Sequence, residues 1–156
     1  MSEKQDGANL ILRLYEIRRE ETMRKAREWF IADFHPESSK DVLGTLMGEH
    51  SADFRMVVSY WDMAAALVNH GAIDEQMFND MNTEHVAVYA KLEPFIAEFR
   101  AMPGAPPYLY LAQVEKVVMR MPDAEERISA MRGYMKRRRE VGDKRTGETR
   151  VNQDAV

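Results

Sequence analysis

The chain of 156 residues is 45% hydrophobic and 31% charged, which gives enough apolar surface for one core and excludes a disordered chain. Its longest unbroken apolar stretch, Met63 to Val68, is six residues, against the roughly 18 to 20 needed to cross a bilayer. The formal net charge is -4, but residues 132–150 carry +5 and the remainder -9, an asymmetry suited to an acidic partner, to nucleic acid, or to the acidic face of its own fold or of a second copy.

The absence of cysteine excludes disulfides, thiolate metal sites and thiol nucleophiles. Residues Met1 to Asn9 mix acidic, basic and polar side chains without the pattern of a secretory signal, so the expected compartment is the cytoplasm. Twelve methionines suit irregular gaps between helices.

Apolar residues recur at spacings of three and four from end to end, which predicts helices throughout. Residues 1–8 read as a disordered N-terminus. A first helix is expected from Asn9 to Phe34, capped by Asn9. Leu10, Leu14 and Ile17 begin its stripe, and Ala26, Trp29 and Phe30 continue it. Its charged middle places Glu20 before Arg24 and Glu21 before Lys25 at ion-pair spacing, and His35-Pro36 ends it. A short helix over Ser39 to Met47 follows.

The segment from Ser51 to Gly71 reads as the centre of the core, with Phe54, Val57 or Val58, Trp61, Ala64 or Ala65, and Val68 on one face. Asp74 opens a short helix through Phe78. Thr83 opens another whose face is Val86, Tyr89, Leu92, Ile96 and Phe99, with Pro94 expected to kink or locally break it. Pro103, Gly104, Pro106 and Pro107 mark an irregular connection. Leu111, Val114, Val118 and Met121 give a further helical stripe, and Pro122 begins a last helix bearing Ile128, Met131 and Met135. Past Gly142 the apolar pattern stops, and residues 142–156 read as a disordered tail. The fold class is all-α: an irregular bundle of five to seven helices in a single helical domain over 9–141.

The four histidines, His35, His50, His70 and His85, are scattered, and none shares the HxxxH spacing of a metal box. Glu49, His50 and Asp53 are the nearest grouping, but one helical turn supplies too few ligands, and a solvated helix start explains them. Gly44 and Gly48 make no phosphate loop, GxGxxG is absent, and no glycine-bearing turn presents a hydroxyl nucleophile. No catalytic residue, metal site or cofactor is therefore assigned.

Within Ser59-Tyr60-Trp61-Asp62-Met63, Tyr60 and Asp62 fall about 160° apart, so they do not easily line one pocket. Asp62, if inward, needs a polar partner, and Arg18 or Arg24 is the expected source. Met56, Tyr60, Met63 and Tyr89 are the candidate lining of an inter-helix pocket. Lys136, Arg137, Arg138 and Arg139 are the candidate polyanion contact, with Lys144, Arg145 and Arg150 beyond them. No stacking aromatic follows Tyr134, which disfavours nucleic acid as the partner.

At Leu14-Tyr15-Glu16-Ile17-Arg18-Arg19, at Ser59-Tyr60-Trp61-Asp62-Met63-Ala64, and from Val68 through Gly71-Ala72-Ile73 to Phe78, the chain resembles a group of small all-helical bacterial proteins of unknown function. The resemblance covers roughly residues 10 to 120, as counted along the chain. It implies an all-helical fold and carries no activity, and the basic segment after Gly133 lies outside it.

The resulting expectation is a non-enzymatic helical protein-interaction module, with a second copy, most simply in a dimer, and an unidentified protein as its partners. Trp29 and Phe30 offer an aromatic surface for self-association if they are exposed. The alternatives are a small-molecule binder or enzyme using the inter-helix pocket, and an accessory protein that binds a polyanion through Lys136 to Arg139.

Overall fold

A computed structural model describes residues 2–154 of the chain, and the side chains of residues 2–147. Met1, Ala155 and Val156, which fall in the expected disordered ends, lie outside the described residues. Among the described residues there are eight α-helices, one short 3-10 helix and no strand. The α-helices are α1 (Glu3–Arg19), α2 (Glu21–Ala32), α3 (Ser39–Leu46), α4 (Ser51–Asn69), α5 (Glu75–Met81), α6 (Glu84–Ala101), α7 (Ala112–Met119) and α8 (Ala124–Asp154). The 3-10 helix, Pro107–Tyr110, occupies the expected irregular connection.

The eighth helix arises because the expected first helix is two. Glu20 adopts extended geometry (φ -60°, ψ 141°) and its carboxylate accepts from the backbone N–H groups of Thr22 and Met23, capping α2. The reason is phase. α1 buries Gly7, Ile11 and Leu14, whereas α2 buries Met23, Ala26 and Phe30. On a continuous helix the two stripes would be centred about 130° apart, so one straight helix could not turn both squarely into the core. Of the two expected ion pairs, Glu21–Lys25 forms at 3.1 Å on the surface, while Glu20 serves as the cap.

The N-terminal boundary also moves. Helix α1 starts at Glu3 with a complete capping box between Ser2 and Gln5, and Asn9 sits inside the helix. Gly7 is buried, and a Cβ there would meet the Ala72 carbonyl oxygen at 3.1 Å, so glycine is what allows α1 to lie against the turn after α4.

α4 lies at the centre, burying Phe54, Val57, Val58, Tyr60, Trp61, Ala64, Ala65 and Val68 against α2 and α7. It ends at Gly71 (φ 81°), with Gly71 N–H donating to Val68 O and Ala72 N–H to Leu67 O, the two bonds of a Schellman motif. α6 is buried on nearly every side, including all five residues of its expected face, and it packs against α8. Pro94 does not break it: α6 is continuous from Glu84 to Ala101.

At the other end, α8 runs on to Asp154 through the stretch read as a tail. Its core contacts come from Ala124, Ile128 and Met135, and no residue from Lys136 to Gly147 is buried. Lys, Arg and Glu are good helix formers, and Thr146 Oγ1 returns a bond to Gly142 O at 3.0 Å, so local propensity carries the helix where burial does not. The stretch from Lys136 to Asp154 corresponds to about 28 Å of helix axis.

Candidate functional site

The expected inter-helix pocket is not assembled. Tyr60 and Tyr89 are core residues, Met56 packs at the core edge, and Met63 is 47% exposed on the outer face of α4. Tyr60 donates its hydroxyl to Leu14 O at 2.5 Å, and burial pushes its pKa up to about 12, so it remains a neutral donor tying α4 to α1. Burial raises Tyr89 to about 12 as well.

Asp62 does make a partly buried polar contact, but with the backbone rather than with Arg18 or Arg24. Its Oδ1 accepts from Gln113 N–H at 3.0 Å and from Val114 N–H at 3.1 Å. These are orphan donors of α7, which is entered through Leu111 in left-handed geometry (φ 46°, ψ 44°) and has no capping side chain of its own. Asp62 is thus a helix cap supplied by another helix.

His50 bonds Asp53 through Nδ1 at 2.9 Å and stacks on Trp29, with ring centroids 4.6 Å apart and planes 12° from parallel. Glu49 stands farther off, at 3.9 Å. Among the described residues no group of three or more His, Cys, Asp or Glu side chains could hold a metal ion. Trp29 packs against the core and Phe30 is fully buried, which removes them as the exposed aromatic surface.

Half-buried Lys91 has a role that the sequence reading did not assign, and buried His85, which the sequence places with Thr83 and Glu84 in helix-capping chemistry, is a core residue instead. Lys91 reaches the end of α2 and donates to the carbonyl oxygens of Phe30, Ile31 and Phe34 at 2.6, 3.0 and 2.6 Å. Burial, reinforced by the nearby charges of Arg138 and Arg139, lowers its pKa to about 8. His85 is fully buried between Phe78 and Trp61; its Nε2 meets Asn79 Oδ1 at 3.2 Å and its Nδ1 has no partner among the described residues. Burial lowers it to about 4, with Arg127 acting in the same direction, so the ring is neutral at pH 7.

A third polar cluster sits where α1 bends into α2. Glu84 Oε2 accepts from Arg27 Nε at 2.8 Å and from Trp61 Nε1 at 3.1 Å, while Arg27 Nη1 donates to Arg18 O at the end of α1. Arg18 crosses Trp61 at 5.5 Å and donates to Asn82 Oδ1 at 3.0 Å, and Asn82 in turn donates to Phe78 O. The recurring chemistry of these buried polar groups is the satisfaction of helix ends.

Lys136, Arg137, Arg138 and Arg139 are all exposed on α8, as the sequence predicts of four consecutive basic residues on one helix. They do not act alike. Arg137, Arg138 and Arg139 border an open groove of about 670 Å³ between the end of α2 and α8, with Ile31, Asp33 and Tyr134 also in its walls. Lys136 and Arg139 border a neighbouring cleft beside Lys91 and Phe95. Tyr134 and Val141, two turns apart on α8, are 48% and 50% exposed along the larger groove.

A family model, the domain of unknown function DUF4760, matches residues 6–121. The chain belongs to this family. The resemblance read from residues 10 to 120 therefore holds, and the DUF4760 match ends before α8 begins. No curated protein and no solved structure matches the chain.

Proposed function

We propose that this DUF4760 protein is a non-enzymatic helical interaction module that self-associates, its basic α8 meeting the acidic surface of a second copy. The observation that carries this reading is the course of α8 beyond Met135: a helix that buries no residue from Lys136 to Gly147 and presents Tyr134, Val141 and a run of cations. Local propensity carries this stretch, but tertiary packing supplies most helical stability in proteins, and here the chain itself gives none. A partner surface is the natural source of that packing. Residues 132–150 carry +5 while the remainder carries -9, so the chain's own copies offer the opposite net charge.

A second support is the use of the buried polar groups. Lys91, Asp62, Tyr60, Asn82 and Arg27 all bond to backbone, and this leaves them bound to the scaffold rather than turned toward a substrate. The proposed setting is the cytoplasm, which the cysteine-free composition favours. Among the described residues no helix is long and apolar enough to cross a membrane.

Sedimentation velocity at low and high salt tests the proposal. A dimer that dissociates as salt rises is the expected result, because screening weakens contacts between exposed charges. A monomer at every concentration and at both salt levels would overturn it. A second reading, polyanion binding through Lys136 to Arg139, rests on the same exposed cations. It would be favoured by a monomer that binds nucleic acid with a steep salt dependence.

A further inference from the structure

The bend at Glu20 creates a concave corner that a straight first helix could not. Arg18 and Arg27 would fall on opposite sides of one continuous helix, about 180° apart. In the folded chain, Arg18 and Arg19 of α1 and Arg24 and Arg27 of α2 instead line a single cleft of about 520 Å³, with Tyr15 and Glu84. Thr83 and Glu84, which begin α6, form part of the wall, and no side chain caps that end of α6.

The charges in this corner do not balance. Glu84 is the only carboxylate in the wall, and its Oε2 is already shared by Arg27 and Trp61. Arg18 donates to a neutral amide, Asn82 Oδ1. Arg19 lies over the Tyr15 ring at 5.5 Å, as Arg18 does at 5.2 Å, and neither Arg19 nor Arg24 has an ion pair among the described residues. Of the acidic neighbours, Glu20 caps α2 and Glu21 pairs with Lys25, while Glu16 and Glu28, the latter beside Arg24 in the adjoining cleft, are outside the corner's wall. Cations in the last turn of α1 suit its dipole, which accounts for Arg18 and Arg19 as features of a helix end. It does not account for Arg24, which lies one turn from the positive end of α2, where a cation gains nothing from the dipole.

We propose that this corner is a binding site for a small, multiply charged phosphate compound, held by Arg18, Arg19 and Arg24. Guanidinium groups match phosphate oxygens through paired N–H donors, and several guanidiniums facing one cleft favour a polyanion over a single carboxylate. The uncapped start of α6 adds the positive end of a helix to the same wall. The Tyr15 ring orients Arg18 and Arg19 by carrying both cations on it. The cleft falls within the roughly 300 to 1,000 Å³ range of small-molecule sites, which leaves room for one or two phosphates with an organic group attached. The site adjoins the α8 surface, since Arg24, Arg27, Thr83 and Glu84 also border a cleft with Tyr134 and Arg138 of α8, but Arg18 and Arg19 line only the corner and neither Arg137 nor Arg139 reaches it.

Titration calorimetry of the full chain with inorganic pyrophosphate, at physiological salt, is the test. Saturable binding of one pyrophosphate per chain is expected. In the double variant Arg19→Gln/Arg24→Gln, affinity should fall by about tenfold or more. Both side chains are exposed, so the fold should persist, and circular dichroism checks this. The variant Arg137→Gln/Arg139→Gln on α8 should bind as the original chain does. Absence of saturable binding at millimolar pyrophosphate, unchanged affinity in Arg19→Gln/Arg24→Gln, or loss confined to the α8 variant would each overturn the proposal.

Discussion

Arg132 of α8 donates through Nε and Nη2 to the carbonyl oxygen of Ala90, at 3.2 and 3.1 Å, and this is the carbonyl that Pro94 deprives of its helical partner. A proline in a helix has no N–H to give to the residue four before it. Here the missing donor comes from a neighbouring helix, and Glu93 holds the same guanidinium at 2.9 Å. Continuity of α6 through Pro94 thus depends on the docking of α8.

The consequence is a coupling that can be measured. Arg132→Ala should destabilise the protein by about 1 to 2 kcal/mol, because it leaves a carbonyl unsatisfied. In a Pro94→Ala background, where an N–H is restored, the same substitution should cost less. Chemical denaturation of the four proteins closes the double-mutant cycle. Additive losses would mean that Arg132 does not stand in for the missing donor.

Asp62 predicts a loss of cap. Asp62→Ala should lower stability by about 1 to 2 kcal/mol, or a few degrees of thermal midpoint for a chain of this size. Asp62→Asn, which keeps an acceptor oxygen, should recover part of it. An unchanged midpoint in Asp62→Ala would remove the capping role.

His85 predicts a pH dependence with a definite sign. Its folded pKa is about 4 against 6.5 in the unfolded chain, so the unfolded state binds the extra proton between these values. Its contribution to stability is present above pH 6.5 and is lost progressively as pH falls toward 4. The full loss is on the order of 3 kcal/mol. His85→Leu should lack this component, and urea denaturation of both proteins between pH 7 and pH 4 checks it. Parallel pH profiles would contradict the burial of a neutral ring.

The glycines in the outer part of α8 offer a test of how that helix is held. A Cβ on Gly142 would meet nothing within 4 Å, so Gly142→Ala is free of clashes and should raise helix content and stability by about 0.5 to 1 kcal/mol. Circular dichroism reads the first and thermal unfolding the second. A fall in both would show that Gly142 adopts some other geometry in solution.

Much of the interior was legible because burial writes a periodic pattern. The α4 stripe from Phe54 to Val68 and the α6 face from Val86 to Phe99 follow from spacing and are buried as expected, and α4 stops at Gly71 as the glycine predicts. The bend at Glu20 was missed although its signal is present: the buried stripes of α1 and α2 are about a third of a turn out of phase, while the charged residues between them are good helix formers. Pro94 was read as a kink or local break because its remedy, Arg132, is 38 positions away in the chain, and periodicity does not report contacts at that distance.

The candidate sites were less legible for the same reason. The backbone partners of Asp62 lie beyond Pro107, on a helix whose N-terminus has no cap of its own. The arginine corner comes into being only when the chain bends, so no linear motif announces it. Lys136 to Arg139 could be read as exposed from composition, but the length of the helix that carries them could not, since the apolar pattern stops past Gly142 and burial ends already at Met135.

The central claim is that α8 brings copies of the chain together, and native mass spectrometry of the full-length protein beside Lys136→Glu/Arg137→Glu/Arg138→Glu/Arg139→Glu tests it most directly. The account predicts a dimer for the original chain and a folded monomer for the charge-reversed variant, whose thermal midpoint should change little because none of the four side chains is buried. A monomer in both samples, or a dimer equally populated in both, would contradict it.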